Sequence, residues 1–171
     1  MGVLTGLKPE AVFQYFEEIC GIPHTSHHEK ALSDHCVRFA KDRGYACTQD
    51  EMGNVIIIAE ATPGYEDVPA VIIQGHLDMV GDKAEGCDID MEKEGPRIYI
   101  DGDYIRADGT TLGGDNGIAV AYALALLDAE KGSIPHPRME VVLTVCEEVG
   151  LLGASAMDFY PCRARRMINI D

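Results

Sequence analysis

The stretch PAVIIQGHLD, residues 69–78, joins a short apolar run to a histidine and an aspartate. A continuous apolar run of this length is typical of a β-strand that is buried on both faces of a sheet. His76 and Asp78 are two residues apart, so in an extended chain their side chains point to the same side. The stretch therefore predicts a central strand that brings an imidazole and a carboxylate to one place.

The rest of the chain alternates between strand and helix patterns around this strand. Two further apolar runs, MEVVLTVC at 139–146 and RMINI at 166–170, predict buried strands of the same kind. Apolar spacing and Pro, Ser and Glu start signals predict helices over 9–19, 26–44 and 116–130, with Ser26 and Glu29 as a capping box for the second.

Two strand pairs complete the predicted elements: 45–48 with 54–59, and 97–100 with 104–107 across an Asp101-Gly102 turn. Buried strands that alternate with helices are typical of an α/β layered fold, with a mostly parallel central sheet flanked by helices. We expect residues 1–171 to form part of one such domain.

Charge and hydropathy exclude two kinds of partner. The 29 acidic residues against 14 basic ones give a formal charge of -15, which would repel a phosphate backbone, so nucleic-acid binding is not expected. The longest apolar run, Ile118–Leu127, is shorter than the roughly 20 residues of a membrane span.

Residues 1–7 lack the pattern of a signal peptide. The cytoplasm is the expected location, and the six cysteines are expected to be reduced.

Chemically active side chains follow each predicted buried strand. His76 and Asp78 come after the first, Glu147 and Glu148 after the second, and Asp171 after the third. In open α/β sheets, ligands bind at the carboxyl ends of the strands. A fourth element, Asp115 in the turn Gly-Gly-Asp-Asn-Gly at 113–117, opens the long helix.

Each cluster by itself has a purely structural explanation. His76 could be a satisfied histidine at a strand end, Asp115 a helix cap, and the glutamates part of a solvated surface. All of these explanations would have to hold together at neighbouring strand ends, which is improbable. Oxygen and imidazole donors without sulfur favour Zn²⁺, with Mn²⁺ or Co²⁺ as alternatives, in a two-metal hydrolytic site.

The paired glutamates are predicted to have different roles. Neighbouring residues that leave a strand point in different directions, so one carboxylate can face a metal ion while the other faces the attacking water.

Asp115 is predicted to bridge two metal ions. Glycines on both sides of Asp115 let the backbone approach closely, and a carboxylate can give one oxygen to each of two cations.

In their order, these motifs resemble those of the M20-type metallopeptidases, most closely the aminoacyl-histidine dipeptidases, also called cytosolic non-specific dipeptidases. The resemblance covers the whole chain, and its most specific motifs are GGDNG at 113–117 and EEVGLLGA at 147–154. It implies an incomplete zinc-peptidase-like catalytic domain that hydrolyses dipeptides, using a water activated between two divalent metal ions.

The resemblance also implies a role for each residue of the clusters. His76 and Asp171 correspond to ligands of one metal and Glu148 to a ligand of the other. Asp115 corresponds to the bridging carboxylate, with a cis peptide to Asn116. Asp78 corresponds to the acid that orients His76, and Glu147 to the general base.

Two parts of the family pattern are missing from these 171 residues: a second histidine ligand far downstream, and a lid domain that provides homodimer contacts and substrate-binding groups. The other histidines are expected to be structural or on the surface. We therefore interpret 1–171 as the amino-terminal part of the catalytic domain, and expect it to bind metal weakly without turning over substrate.

Three alternatives remain open from the sequence. An aminopeptidase, carboxypeptidase or amidohydrolase of the same superfamily would share the metal ligands. A noncatalytic domain could keep the fold without metal. A cysteine hydrolase that uses Cys146 would need a partner histidine, and the sequence offers no way to place one.

Overall fold

A computed structural model describes residues 2–130 and 133–171. It contains these helices and strands in chain order: α1 (Glu10–Cys20), α2 (Lys30–Asp42), β1 (Ala46–Gln49), β2 (Val55–Ala59), β3 (Val71–His76), β4 (Ile98–Asp101), β5 (Tyr104–Ala107), α3 (Gly114–Asp128), β6 (Met139–Thr144), α4 (Leu152–Ala156) and β7 (Met167–Asn169). No helix in the described ranges is long and apolar enough to span a membrane.

Five of the strands form one sheet in the order β1-β2-β6-β3-β7. Strand β3 pairs in parallel with both β6 and β7, whereas β2 is antiparallel to β1 and β6. Four of the five strands therefore run in one direction, and β2 runs against them. The predicted α/β fold with a mostly parallel sheet is confirmed.

The main core lies between the three long helices and one face of the sheet. Apolar residues of α1, α2 and α3 pack against alternate residues of the strands, including Ile57 of β2, Ile73 of β3 and Val141 of β6. The residues adjacent to these in sequence, Ile56, Ile72 and Val142, form a smaller cluster with Ala164 on the opposite face of the sheet. The continuous apolar runs of β2, β3 and β6 are thus explained, because both faces of these strands are covered.

The ribbon β4–β5 and helix α3 lie between β3 and β6 in sequence and make up the crossover that parallel strands require. The ribbon pairs as predicted, with Asp101 opposite Tyr104 beside the turn. Helix α3 packs against both α1 and β3. This arrangement brings the first turn of α3 close to the carboxyl end of β3.

Two expectations about local structure were wrong. The predicted capping box fails, because α2 begins at Lys30 and no side chain caps it. Ser26 and Glu29 instead reach across to Asp78 and Cys146. Strand β7 is paired as predicted but not buried, because it is an edge strand whose side chains Met167 and Ile168 are about half exposed, at 55% and 51%. The short helix α4 was not predicted.

Candidate metal centre

The side chains predicted to form the site meet at the carboxyl ends of β3, β6 and β7. Parallel pairing aligns His76 with Thr144, so the end of β3 lies beside the start of the turn that carries the two glutamates. Two sets of possible donor atoms occur here, and within each set the atoms all lie within 4.8 Å of one another. One set comes from His76, Asp115 and Asp171, and the other from His76, Glu147 and Glu148. The structure thus brings together five of the six predicted residues as possible metal donors.

The buried ring of His76 lies at the centre of the site. Its Nδ1 donates a hydrogen bond to the backbone carbonyl of Asp78 at 2.9 Å, because a carbonyl oxygen can only accept. Its Nε2 faces Asp115 Oδ1 at 3.0 Å and Glu147 Oε2 at 3.9 Å. A histidine that is oriented through one nitrogen in this way leaves the other free to bind a metal ion.

Asp78 is the sixth predicted residue, and its carboxylate holds the backbone of Glu147 and Glu148. The sequence predicts a hydrogen bond from the His76 ring to its carboxylate, but that oxygen lies 3.4 Å from Nδ1, farther than the carbonyl. The carboxylate instead accepts hydrogen bonds from the backbone N–H groups of Glu147 and Glu148, at 2.9 and 3.2 Å, and from the Ser26 hydroxyl at 2.8 Å.

The electrostatics of the site favour a positive charge. Burial by itself would lower the pKa of His76, but the surrounding carboxylates of Asp78, Asp115 and Glu147 raise it to about 9. Burial would raise the pKa of Asp78, but the His76 ring beside it, together with the hydrogen bonds from Glu147, Ser26 and Glu148, lowers it to about 2. Burial, together with repulsion from Asp115 and other acids, raises the pKa of Glu148.

No lysine or arginine of the described residues forms an ion pair with Asp78, Asp115, Glu147, Glu148 or Asp171. A cluster of carboxylates with one imidazole and no basic partner has the negative charge that a bound cation would balance. The donor set of oxygen atoms and one imidazole nitrogen suits divalent zinc, manganese or cobalt. The residues therefore fit a bound divalent metal.

Asp115 is placed by the break at the start of α3. Gly113 adopts a left-handed conformation with φ 76°, and Asp115 and Asn116 have non-helical backbone angles, so the regular helix begins after them. The peptide between Asp115 and Asn116 is cis, as the resemblance implied. The Asp115 side chain is 65% exposed and is free to face a ligand.

Asn116 was not predicted as a site residue, but it is buried at the junction of three segments. Its Oδ1 accepts a hydrogen bond from the backbone N–H of His76 at 3.2 Å, and its Nδ2 donates to the carbonyl of Ile170 at 3.4 Å. Asn116 thus ties the segments that carry His76, Asp115 and Asp171 to one another.

The structure also supplies the histidine that a cysteine hydrolase would need. His27 Nδ1 lies 3.4 Å from Cys146 Sγ. However, burial and the Glu29 carboxylate raise the pKa of the Cys146 thiol to about 11, and the residue is only 6% exposed. A protonated, buried thiol is a poor nucleophile at neutral pH, so this alternative loses its chemical basis.

Comparison with known proteins finds relatives that are similar to this chain in sequence and in fold. The chain is 41% identical over 171 residues to the cytosol non-specific dipeptidase of Escherichia coli K12. Its structure superimposes on an aminoacylhistidine dipeptidase from Vibrio alginolyticus with a TM-score of 0.92 and 42% identity, covering 97% of this chain. The chain is similar in sequence and fold to the M20-type dipeptidases.

The similarity covers only part of those relatives. This chain spans 35% of the Escherichia coli protein and 34% of the Vibrio chain. A tripeptidase from Staphylococcus aureus shares the fold at a TM-score of 0.80 and 23% identity, with 96% of this chain covered and 44% of that one. No protein-family model matches the chain.

Proposed function

We propose that the protein containing this chain is a dinuclear metallopeptidase of the M20 type that hydrolyses dipeptides in the cytoplasm. One observation carries the proposal: in a chain 41% identical to a cytosol non-specific dipeptidase, donor groups from three strand ends and a helix start converge around His76. Substrates of the Xaa-His type follow from the likeness to an aminoacylhistidine dipeptidase.

In this proposal, residues 1–171 form the amino-terminal part of the catalytic domain. When metal ions are bound, His76 and Asp171 would hold one of them and Glu148 the other, and Asp115 would serve as a ligand shared by both. The assignment is supported by the donor atoms of these residues, which lie within 4.8 Å of the His76 imidazole nitrogen, and we infer zinc as the metal from the donor set. Homodimer contacts belong to the part of the protein that lies outside this chain.

The chain's own residues account for proton transfer. Metal ions, when bound, supply the positive charge that acidifies water and polarises the scissile carbonyl. Glu147 is half-buried, and its Oε2 lies 3.9 Å from His76 Nε2, so its carboxylate can take a proton from the attacking water at the edge of the donor cluster. Glu147 then returns that proton to the leaving amine.

The two glutamates provide the test of this function. In the complete protein loaded with zinc, Glu147→Gln should lower kcat for a dipeptide by about 100- to 10,000-fold while leaving the metal content unchanged, because it removes a general base. Glu148→Gln should instead lower the metal content. Steady-state kinetics and metal analysis of both variants distinguish the two roles.

The panel of substrates should contain an Xaa-His dipeptide, a second dipeptide and a tripeptide, with the tripeptide cleaved slowly. Two results would contradict the proposal: a complete protein that binds no metal, or a Cys146→Ser variant that loses activity while Glu147→Ala keeps it. The first would favour a noncatalytic domain and the second a cysteine nucleophile.

A further inference from the structure

Three consecutive backbone N–H groups at the end of β6 are held by two buried carboxylates from other parts of the chain. Asp78 accepts from Glu147 and Glu148, and Glu29 accepts from Cys146 at 2.9 Å. Glu29 is only 5% exposed and lies 117 positions before Cys146 in sequence. The turn that carries the two glutamates has internal hydrogen bonds that its carbonyl groups accept, such as the one from the Leu151 N–H to the Glu147 carbonyl at 2.9 Å. Its first three N–H groups, in contrast, are held by carboxylates from other parts of the chain.

Cys146 occupies a backbone conformation that needs such support. Its φ is 51°, in the left-handed region that a residue with a β-carbon rarely adopts. The thiol lies 3.3 Å from the same Glu29 Oε1 that accepts its backbone N–H. The backbone N–H and the thiol of Cys146 thus both donate to Glu29 Oε1. This contact holds the backbone of Cys146 and so sets the direction in which the next residue, Glu147, extends.

Glu29 is free to make this contact because it does not cap its own helix. Helix α2 begins at the next residue without a side-chain cap. One turn further on, the buried Ser33 hydroxyl donates to the carbonyl of Gly53 at 2.5 Å, which anchors α2 to the turn between β1 and β2. Ser33 therefore anchors α2, whereas Glu29 holds the backbone of Cys146.

We propose that Glu29 is a positioning residue for Glu147, acting through Cys146. This inference rests on the proposed function, in which Glu147 is the general base. Glu29 touches no reacting atom. It fixes the backbone from which Glu147 extends, and a small displacement of a catalytic group has a large effect on rate.

The test uses the complete enzyme and three variants: Glu29→Ala, Glu29→Gln and, as the matched control on the same helix, Ser33→Ala. Glu29→Ala removes the acceptor and should lower kcat by about 10- to 100-fold with little change in KM or metal content. Glu29→Gln keeps an oxygen that accepts the same hydrogen bonds, so it should restore most of the activity. Ser33→Ala should lower the melting temperature while kcat stays near that of the unsubstituted enzyme.

Hydrogen exchange gives a readout that does not depend on activity. In the metal-free protein, the Cys146 amide should exchange faster in Glu29→Ala than in Ser33→Ala, because only the first loses its acceptor. Equal kcat values for these two variants, or unchanged exchange at Cys146, would overturn the positioning role. Absence of dipeptide hydrolysis in the unsubstituted enzyme would overturn the proposed function itself, and it would be seen before any variant is made.

Discussion

At the scale of single residues, the site depends on a close fit between Gly75 and Asn116. The Asn116 amide lies beside the backbone of β3 and bonds to the His76 N–H. A β-carbon built on Gly75 would lie 2.7 Å from Asn116 Oδ1 and 3.1 Å from the Ala119 side chain. Glycine is required at position 75 because α3 approaches β3 so closely there, not because of its backbone angles.

Gly75→Ala should therefore disturb the site as well as the fold. Forcing a methyl group into this contact should lower the free energy of unfolding by about 1–3 kcal/mol and displace Asn116 from His76. Denaturant unfolding measures the first effect, and zinc titration of the complete protein measures the second. At Gly114, an added β-carbon meets only Leu112 at 3.8 Å, an ordinary contact, so Gly114→Ala is the stability control. Equal stability of the two variants would contradict the prediction.

At the scale of elements, buried charges connect segments that the hydrophobic pattern alone would not join. Glu140 is the second residue of β6 and is fully buried. It pairs with Arg138 at 2.8 Å and accepts backbone hydrogen bonds from Arg163 and Ala164. Burial would raise the pKa of Glu140, but these partners together lower it. The carboxylate thus fastens the segment that leads into β7, the strand that ends beside Asp171.

Glu140→Gln should weaken this connection. The amide cannot accept all the hydrogen bonds that the carboxylate accepts, and it leaves Arg138 without its buried partner, which should cost about 3 kcal/mol of unfolding free energy. Chemical denaturation measures this loss. Because Glu60, which also pairs with Arg138, is largely exposed, Glu60→Gln is the control and should cost under about 1 kcal/mol. Similar losses in both variants would contradict the role given to Glu140.

A second charged group joins the three long helices. Asp128 at the end of α3 accepts hydrogen bonds from the Tyr15 hydroxyl of α1 at 2.6 Å and from Arg43, just after α2, at 2.5 Å. The hydrogen bond from Arg43 lowers the pKa of Asp128. A lowered pKa means that the folded state favours the charged carboxylate.

The contribution of Asp128 to stability should therefore depend on pH. A carboxyl group with a lowered folded-state pKa stabilises the protein fully above its ordinary titration range, about pH 4, and loses that contribution as the pH falls through the lower value. The unfolding free energy of Asp128→Asn should thus fall below that of the original protein at pH 7, and the difference should shrink in acid. A difference that grew as the pH fell would show the opposite linkage.

At the scale of the whole molecule, the donors of the site are unevenly supported. His76 and Asp78 are almost fully buried, at 1% each, and their positions are fixed by the core. Asp171 follows strand β7 and is exposed, and its N–H donates a hydrogen bond to the Asn169 side chain at 2.9 Å. Among the described residues, the donors therefore range from the buried His76 to the exposed Asp171.

These 171 residues by themselves should bind zinc more weakly than the complete protein and should not hydrolyse dipeptides. The reason is that the resemblance places a second histidine ligand and the substrate-binding lid outside these residues. Isothermal titration with zinc and a dipeptide hydrolysis assay on both proteins would test this. Turnover by the 171-residue chain at a rate near that of the complete protein would contradict it.

The sequence by itself determined the local features of this protein. Continuous apolar runs identified β3 and β6 because strands covered on both faces need no polar alternation, and the residues after those runs identified His76 and the two glutamates. Glycines on both sides of Asp115 marked the break at the start of α3. These signals are readable because each one depends on the backbone and the side chains of a single segment.

The tertiary structure decided the contacts between segments. Ser26 and Glu29 have the spacing of a capping box, yet Ser26 donates its hydroxyl to Asp78 and Glu29 accepts the N–H of Cys146. The reason is that a buried N–H group needs a protein acceptor, whereas water can reach the N–H groups at a helix end. The junction at Asn116 also depends on partners 40 and 54 residues away in sequence. Such pairings arise only when packing of the sheet and helices brings the segments together.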